Sequence, residues 1–192
     1  MTTNDTFSED RSSRVCPVES AGALDSRLRK LFQDPEKILS PYIKGNMIVL
    51  DLGCGPGYFT VEIAKLLGDR GKVVAADLQP GMLEILRKKV KGSDLESRIE
   101  LHQCGSSSIG LTLKFDFVLA FYVIHEMPDT ERVFRELRSC MNPGGLLVIT
   151  EPKFHVSGKR FNDMVKIMTG CGFSASMGPW SIIDRVVTGR PI

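Results

Sequence analysis

Long apolar stretches are missing from this chain of 192 residues, and none approaches the length needed to cross a bilayer. The amino terminus is polar and mixed in charge, with no apolar signal-peptide core. The five cysteines stand at positions 16, 54, 104, 140 and 171, and none forms a C-x-x-C pair. That scatter argues against a metal site or a disulfide framework, and it points to a reducing cytoplasm. Strong charge of one sign is lacking too. A formal charge of +2 gives no electrostatic case for a nucleic-acid partner or an acidic membrane. No internal repeat or low-complexity tract interrupts the chain. Nothing in it speaks to oligomeric state.

What is present fits one globular domain. Hydrophobic content of 42% and charged content of 25% are ordinary for a packed soluble protein. Residues 1–14 are rich in Ser, Thr, Asp, Glu and Arg, which predicts a polar flexible tail. Leu24, Leu28, Leu31 and Phe32 share one helical stripe. Asp34-Pro35-Glu36 then reads as an N-cap, a first-turn proline and an early acid, and Pro41 ends that short helix. Residues 15–45 are thus predicted to form a helical arm or lid ahead of a main domain at 46–192.

From there strands and helices alternate. Strands are predicted at 47–51, 72–77, 98–103, 115–120 and 146–150. Helices are predicted at about 58–68, 80–90, 133–141 and 161–168. Asn142-Pro143-Gly144-Gly145 reads as a turn. Two short segments near 173–177 and 182–188 flank Gly178-Pro179-Trp180 and suit a terminal hairpin. Such alternation means a parallel sheet covered by helices on both faces.

The most informative stretch is Leu50-Asp51-Leu52-Gly53-Cys54-Gly55-Pro56-Gly57-Tyr58. An apolar strand ends in an acid, a glycine-rich turn follows, and a helix begins. That is where nucleotide-like cofactors bind in such sheets. No Lys-Ser or Lys-Thr follows, so it is not a phosphate-cradling P-loop. The dinucleotide fingerprint G-x-G-x-x-G also fails, since Tyr58 stands at its last position. Asp51, read as part of the turn, would repel a pyrophosphate and suits a cationic amino group.

The run D-L-G-C-G-P-G resembles motif I of the class I S-adenosylmethionine (SAM) methyltransferases. The resemblance covers residues 47 to about 190. It implies a three-layer α/β/α sandwich with a seven-stranded, mostly parallel sheet of order 3-2-1-4-5-7-6, the seventh strand antiparallel. It implies SAM as cofactor, a small or medium organic methyl acceptor and in-line displacement. Ala75-Ala76-Asp77-Leu78 resembles the second motif of that family. There Asp77 would take the ribose hydroxyls and Leu78 would pack on adenine. Asp77 stands 24 residues after Gly53 (77 − 53), near the roughly 20 of ribose acids in such folds. The usual acid after strand three is absent. Cys104 and Gly105 stand there instead, and their main chain would read the ring.

Cofactor contacts are therefore expected from Asp51, Gly53, Cys54, Gly55, Gly57, Asp77, Leu78, Cys104, Gly105 and Phe121. Phe121-Tyr122-Val123-Ile124-His125-Glu126 follows strand four, beside the expected methyl group. His125 is the leading base candidate because its ordinary pKa is near neutrality. The competing reading has His125 capping or packing against the next helix. Tyr122 is a second catalytic candidate or a pocket wall. Glu151 and His155 follow strand five and would line the acceptor pocket. A grip on a metalloid by Cys16, Cys104 and Cys171 would need the fold to unite them. Two other functions stay open: a non-catalytic SAM-binding domain and a dinucleotide-dependent oxidoreductase.

Overall fold

The computed structural model describes residues 33–179 and 182–192. The polar tail, most of the predicted arm and Trp180 lie outside them. The short helix α1 spans Pro35–Leu39, and the Asp34 side chain accepts from the Glu36 amide, as its sequence predicts.

The remaining elements follow in order as β1 (Ile48–Leu52), α2 (Tyr58–Leu66), β2 (Lys72–Asp77), α3 (Pro80–Val90), β3 (Ile99–Gln103), β4 (Phe115–Phe121), α4 (Thr130–Cys140), β5 (Met141–Pro152), α5 (Gly158–Gly170), β6 (Phe173–Met177) and β7 (Asp184–Pro191). Short 3₁₀ turns stand at Glu96–Arg98 and Ile124–Glu126. The seven strands form one sheet of order β3-β2-β1-β4-β5-β7-β6. Pairing is parallel from β3 across to β5, and β7 runs antiparallel to both β5 and β6. The predicted sheet, its order and the terminal hairpin are all present.

Central strands are apolar on both faces because helices cover both. Val49, Val73, Phe117, Leu119 and Val148 face α1 and α2. Leu50, Val74, Val118, Leu147 and Ile149 face α4 and α5. Ala75 meets Leu83, Leu86 and Val90 of α3.

Three local readings change. Asp51 belongs to β1, as the predicted strand at 47–51 has it, and not to the turn in which its charge is also read, because its main chain pairs with both neighbours, β2 and β4. Phe59 and Thr60 are buried, although the apolar spacing of this helix, Val61, Ile63, Ala64, Leu66 and Leu67, leaves them out. The Asn142–Gly145 segment is a bulge within β5, between the pairs Phe115↔Met141 and Phe117↔Leu146.

All the parallel strands end at the same edge of the sheet, and that edge carries the site. Phe134 anchors α4 to the opposite half of the core. It is fully buried, with its ring centroid 6.4 Å from that of Phe173. Phe134→Ala is expected to lower stability by about 3–5 kcal/mol through lost burial and a cavity. Urea denaturation followed by circular dichroism measures this.

Candidate functional site

Three acids are buried among the described residues: Asp51, Asp77 and Glu151. They stand near or at the carboxyl ends of β1, β2 and β5. Burial of a charge is costly unless hydrogen bonds hold it. Each of the three has such a partner.

Asp51 accepts from the Thr60 hydroxyl of α2 at 2.5 Å, deep under the turn. Asp77 receives two main-chain amides, Gly55 on one oxygen and Gln79 on the other, each at 2.8 Å. Burial nonetheless raises its pKa above the ordinary value, against the lowering effect of the amides of Gln79, Gly55 and Leu78. The turn itself hangs on β2, since the amides of Gly53 and Cys54 both donate to the Ala76 carbonyl.

The three motif glycines serve different needs. All have positive φ, +72° at Gly53, +52° at Gly55 and +85° at Gly57. A Cβ on Gly53 would lie 2.5 Å from Val123 Cγ2, and one on Gly57 would lie 2.3 Å from Leu86 Cδ1. A Cβ on Gly55 would meet nothing within 4 Å. Only Gly55 leaves bare backbone facing open space, beside the Asp77 carboxylate that holds its amide. At Gly53 and Gly57 the missing side chain makes room for Val123 and Leu86, and at Gly55 it leaves the backbone bare.

The turn is electrically negative. Burial pushes the Cys54 thiol well above its usual range, and the charges of Asp51 and Asp77 push it further, with Cys104 adding to them. The Cys104 thiol is raised to about 11, by burial first and by Asp77 second. The two buried carboxylates, Asp51 and Asp77, oppose a pyrophosphate and favour a cationic ligand. The residues present therefore fit SAM, which carries an ammonium and a sulfonium and no phosphate.

The segment expected beside adenine is held by its own main chain. The Cys104 amide donates to the Asp77 carbonyl at 3.0 Å, and the Gly105 amide donates to the Ser108 carbonyl at 2.9 Å. Both N–H groups are engaged inside the protein and are not available to read a base. Leu78 is half-buried at the end of β2. Phe121 closes β4 in an aromatic group, 4.3 Å from the Phe59 ring centroid and 4.4 Å from that of Tyr122.

Tyr122 has φ of 61°, the one positive value among described non-glycine residues. This bend turns the chain out of the sheet. The Tyr122 hydroxyl donates to Asp184 of β7 and accepts from the Gln33 amide at 2.5 Å. The Tyr58 hydroxyl donates to the Gln33 carbonyl at 2.7 Å. Gln33, Tyr58, Tyr122 and Asp184 thus tie the start of α1 to β7 across the same edge.

His125 does not cap the next helix. Asp129 does, accepting from the Arg132 amide at 3.0 Å. The His125 Nδ1 lies 2.5 Å from Glu151 Oε2, and the His125 main-chain amide donates to Glu151 Oε1 at 3.1 Å. The His155 ring stands edge-on, 4.9 Å from His125 between centroids. Sequence reasoning named His125, Glu151 and His155 separately and missed their union. It also missed Thr60, Asp184, Gln33 and Val123 as supports. One signal was readable: an acid closes each of the apolar runs V-L-D, V-A-A-D and V-I-T-E.

Cys104 and Cys171 lie apart. Cys104 follows β3 at the carboxyl edge, whereas Cys171 precedes β6 at the amino edge. Cys16 lies outside the described residues. Among the described residues no group of three ligating side chains could hold a metal. No described helix is long and apolar enough to cross a membrane. A pocket lined by Lys44, Asn46, Asp116 and Gly144 lies at the amino ends of the strands. Its Asp116 already binds the Ile48 amide and the Asn142 side chain.

Comparison with known proteins agrees with this geometry. A family model described as a methyltransferase domain matches residues 43–173. Demethylmenaquinone methyltransferase of Lactobacillus johnsonii is 32% identical over 110 residues, covering 57% of this chain and 45% of that protein. The ubiquinone/menaquinone biosynthesis C-methyltransferase UbiE of Shewanella frigidimarina is 28% identical over 120 residues, covering 60% and 48%. The chain spans about half the length of these curated relatives. Among solved structures, a SAM-dependent methyltransferase from Aquifex aeolicus superposes with a TM-score of 0.82 at 24% identity, covering 93% of this chain and 100% of that one. The DhpI–SAH complex gives 0.70 at 20% identity, covering 94% of each.

The glycine assignment yields a direct test. Alanine at Gly53 or Gly55 incurs left-handed strain of about 1–2 kcal/mol. Gly53→Ala adds the collision with Val123. Thermal melting is expected to fall further for Gly53→Ala than for Gly55→Ala, and Val123→Ala is expected to recover part of the Gly53→Ala loss. Equal melting temperatures would remove the distinction.

Proposed function

The chain belongs to the methyltransferase-domain family, and from that premise we propose that it transfers a methyl group from SAM to a small or medium-sized organic acceptor. One observation carries the reading: bare backbone at Gly55 faces open space beside the buried Asp77 carboxylate, in a field set by two acids.

In this reading Asp77 takes the two ribose hydroxyls with its remaining lone pairs. Gly53, Cys54, Gly55 and Gly57 shape the floor beneath the cofactor. Asp51 contributes negative field from below, favouring the amino group. Leu78 packs against adenine, and Cys104 and Gly105 border it without donating their amides. Phe121 forms the wall toward the acceptor. Bound SAM supplies an activated methyl group and receives at sulfur the electron pair of the broken bond. The protein contributes alignment and exclusion of water. Tyr122, tied to Gln33 and Asp184, serves as a wall of the acceptor side and not as a base.

The relatives named for quinone methylation make an aromatic ring one acceptor to try. We place the reaction in the cytoplasm, where the buried free thiols of Cys54, Cys104 and Cys140 stay reduced.

Calorimetry with S-adenosylhomocysteine tests the assignment. The wild-type protein is expected to bind it and to ignore NAD. Asp77→Ala is expected to weaken binding at least tenfold, about what loss of hydrogen bonds to a charged acceptor costs. Unchanged affinity would refute the ribose placement.

Acidification provides a second test. The charged form of Asp77 accepts the ribose hydroxyls, and its raised pKa means protonation begins above the ordinary carboxylate range. Affinity is expected to fall as pH drops through that raised value. Asp77→Asn is expected to bind weakly at every pH and to flatten the dependence.

A further inference from the structure

We propose that Glu151 is a positioning residue that fixes His125 as a base, so that the acceptor is a group that loses a proton during transfer: a phenolic or enolic hydroxyl, or an activated ring carbon. The inference rests on the methyl-transfer reading above.

Glu151 is fully buried at the end of β5. Both its oxygens go to His125, one to Nδ1 and one to the main-chain amide. Its side chain makes no other hydrogen bond to a described residue. A carboxylate removed from water for a single partner is a poor way to fill a core, since an apolar residue of that size packs without the desolvation cost. What the carboxylate does is choose a tautomer. It only accepts, so it holds the proton on Nδ1 and leaves the lone pair on Nε2. The amide contact on its other oxygen fixes where the ring stands. Nε2 makes no hydrogen bond to a described residue, and the His125 side chain retains 10% exposure. Its neighbour His155 is exposed, so the ring borders solvent on that side.

The location agrees. His125 lies in the 3₁₀ turn that leaves β4, and Val123 at the entrance of that turn packs on Gly53 of the cofactor turn. The base therefore stands on the segment in contact with motif I. In the step, His125 Nε2 takes the proton from the acceptor O–H, which for a ring-carbon acceptor is the hydroxyl conjugated with that carbon, the ring C–H proton returning to the oxygen after transfer as aromaticity is restored. The pair released forms the new bond to the methyl carbon, and the bond from that carbon to sulfur breaks with its pair left on sulfur. The imidazolium formed is stabilised through Nδ1 by Glu151. Acceptors with no proton to lose, such as a pyridine nitrogen, gain nothing from this pair.

The test uses full-length protein labelled with ¹⁵N-histidine and saturated with S-adenosylhomocysteine. Nitrogen chemical shifts report the His125 tautomer. The expected result is a proton on Nδ1 and a bare Nε2. Glu151→Gln is expected to shift the population toward the other tautomer. Activity is then read with catechol, 1,4-naphthohydroquinone and pyridine as acceptors. On the proton-bearing acceptors Glu151→Gln is expected to lower kcat about tenfold or more with little change in KM, and His125→Asn about a hundredfold, the usual range for loss of a general base. Affinity for S-adenosylhomocysteine is expected to stay within about twofold in both variants, as neither residue is assigned to the cofactor.

A wild-type His125 protonated on Nε2 would overturn the proposal, and so would turnover that survives His125→Asn. A parallel loss of cofactor affinity would overturn it too, by making the pair part of the cofactor site. The tautomer measurement needs no variant and no turnover, so it decides even where Glu151→Gln does not fold or none of the three acceptors reacts. Failure of the wild-type protein to bind S-adenosylhomocysteine would sink the methyl-transfer reading instead.

Discussion

Burial of three carboxylates at one edge of a parallel sheet is the constraint on which the rest of the edge depends. An ionised acid in an apolar layer must be held by donors, and the donors must come from somewhere definite. Asp51 recruits Thr60 and so seats α2 against β1. Asp77 recruits the amides of Gly55 and Gln79, which fixes the glycine turn above β1 and the start of α3. Glu151 recruits the ring and main chain of His125, which fixes the turn after β4.

The same constraint bears on the competing functions. A dinucleotide enzyme would share the ribose acid, but it would have to seat a pyrophosphate over a turn whose neighbours already disfavour a thiolate. A domain that merely holds SAM would explain the cofactor edge and leave the His125–Glu151 pair without a reason. Family membership and the sheet order agree with a methyltransferase, and the pair adds a reason to expect turnover.

Most of the architecture was legible because its signals are local or periodic. The apolar runs of β1, β2, β4 and β5, the stripes of α3 and α4, and the glycine turn are all contained in a few neighbouring residues. The bulge at Asn142–Gly145 was read as a turn because proline and glycine mark both, and only pairing with β4 tells them apart. The candidate site was legible by residue type and not by partnership. Glu151 stands on β5 and His125 in the turn after β4, and no spacing rule links them. The amides of Cys104 and Gly105 donate to the Asp77 and Ser108 carbonyls, partners that no local pattern in the sequence reveals.

The different demands on the three motif glycines limit how far the turn can travel. Val123 closes over Gly53, and Leu86 closes over Gly57. A cofactor turn grafted onto another sheet as a seven-residue cassette would arrive without either neighbour. Its glycines would then be loose rather than required, and the backbone would have no reason to keep its shape. The transferable unit is the turn together with one residue from the β4 exit and one from α3, a discontinuous module that no short stretch of sequence contains.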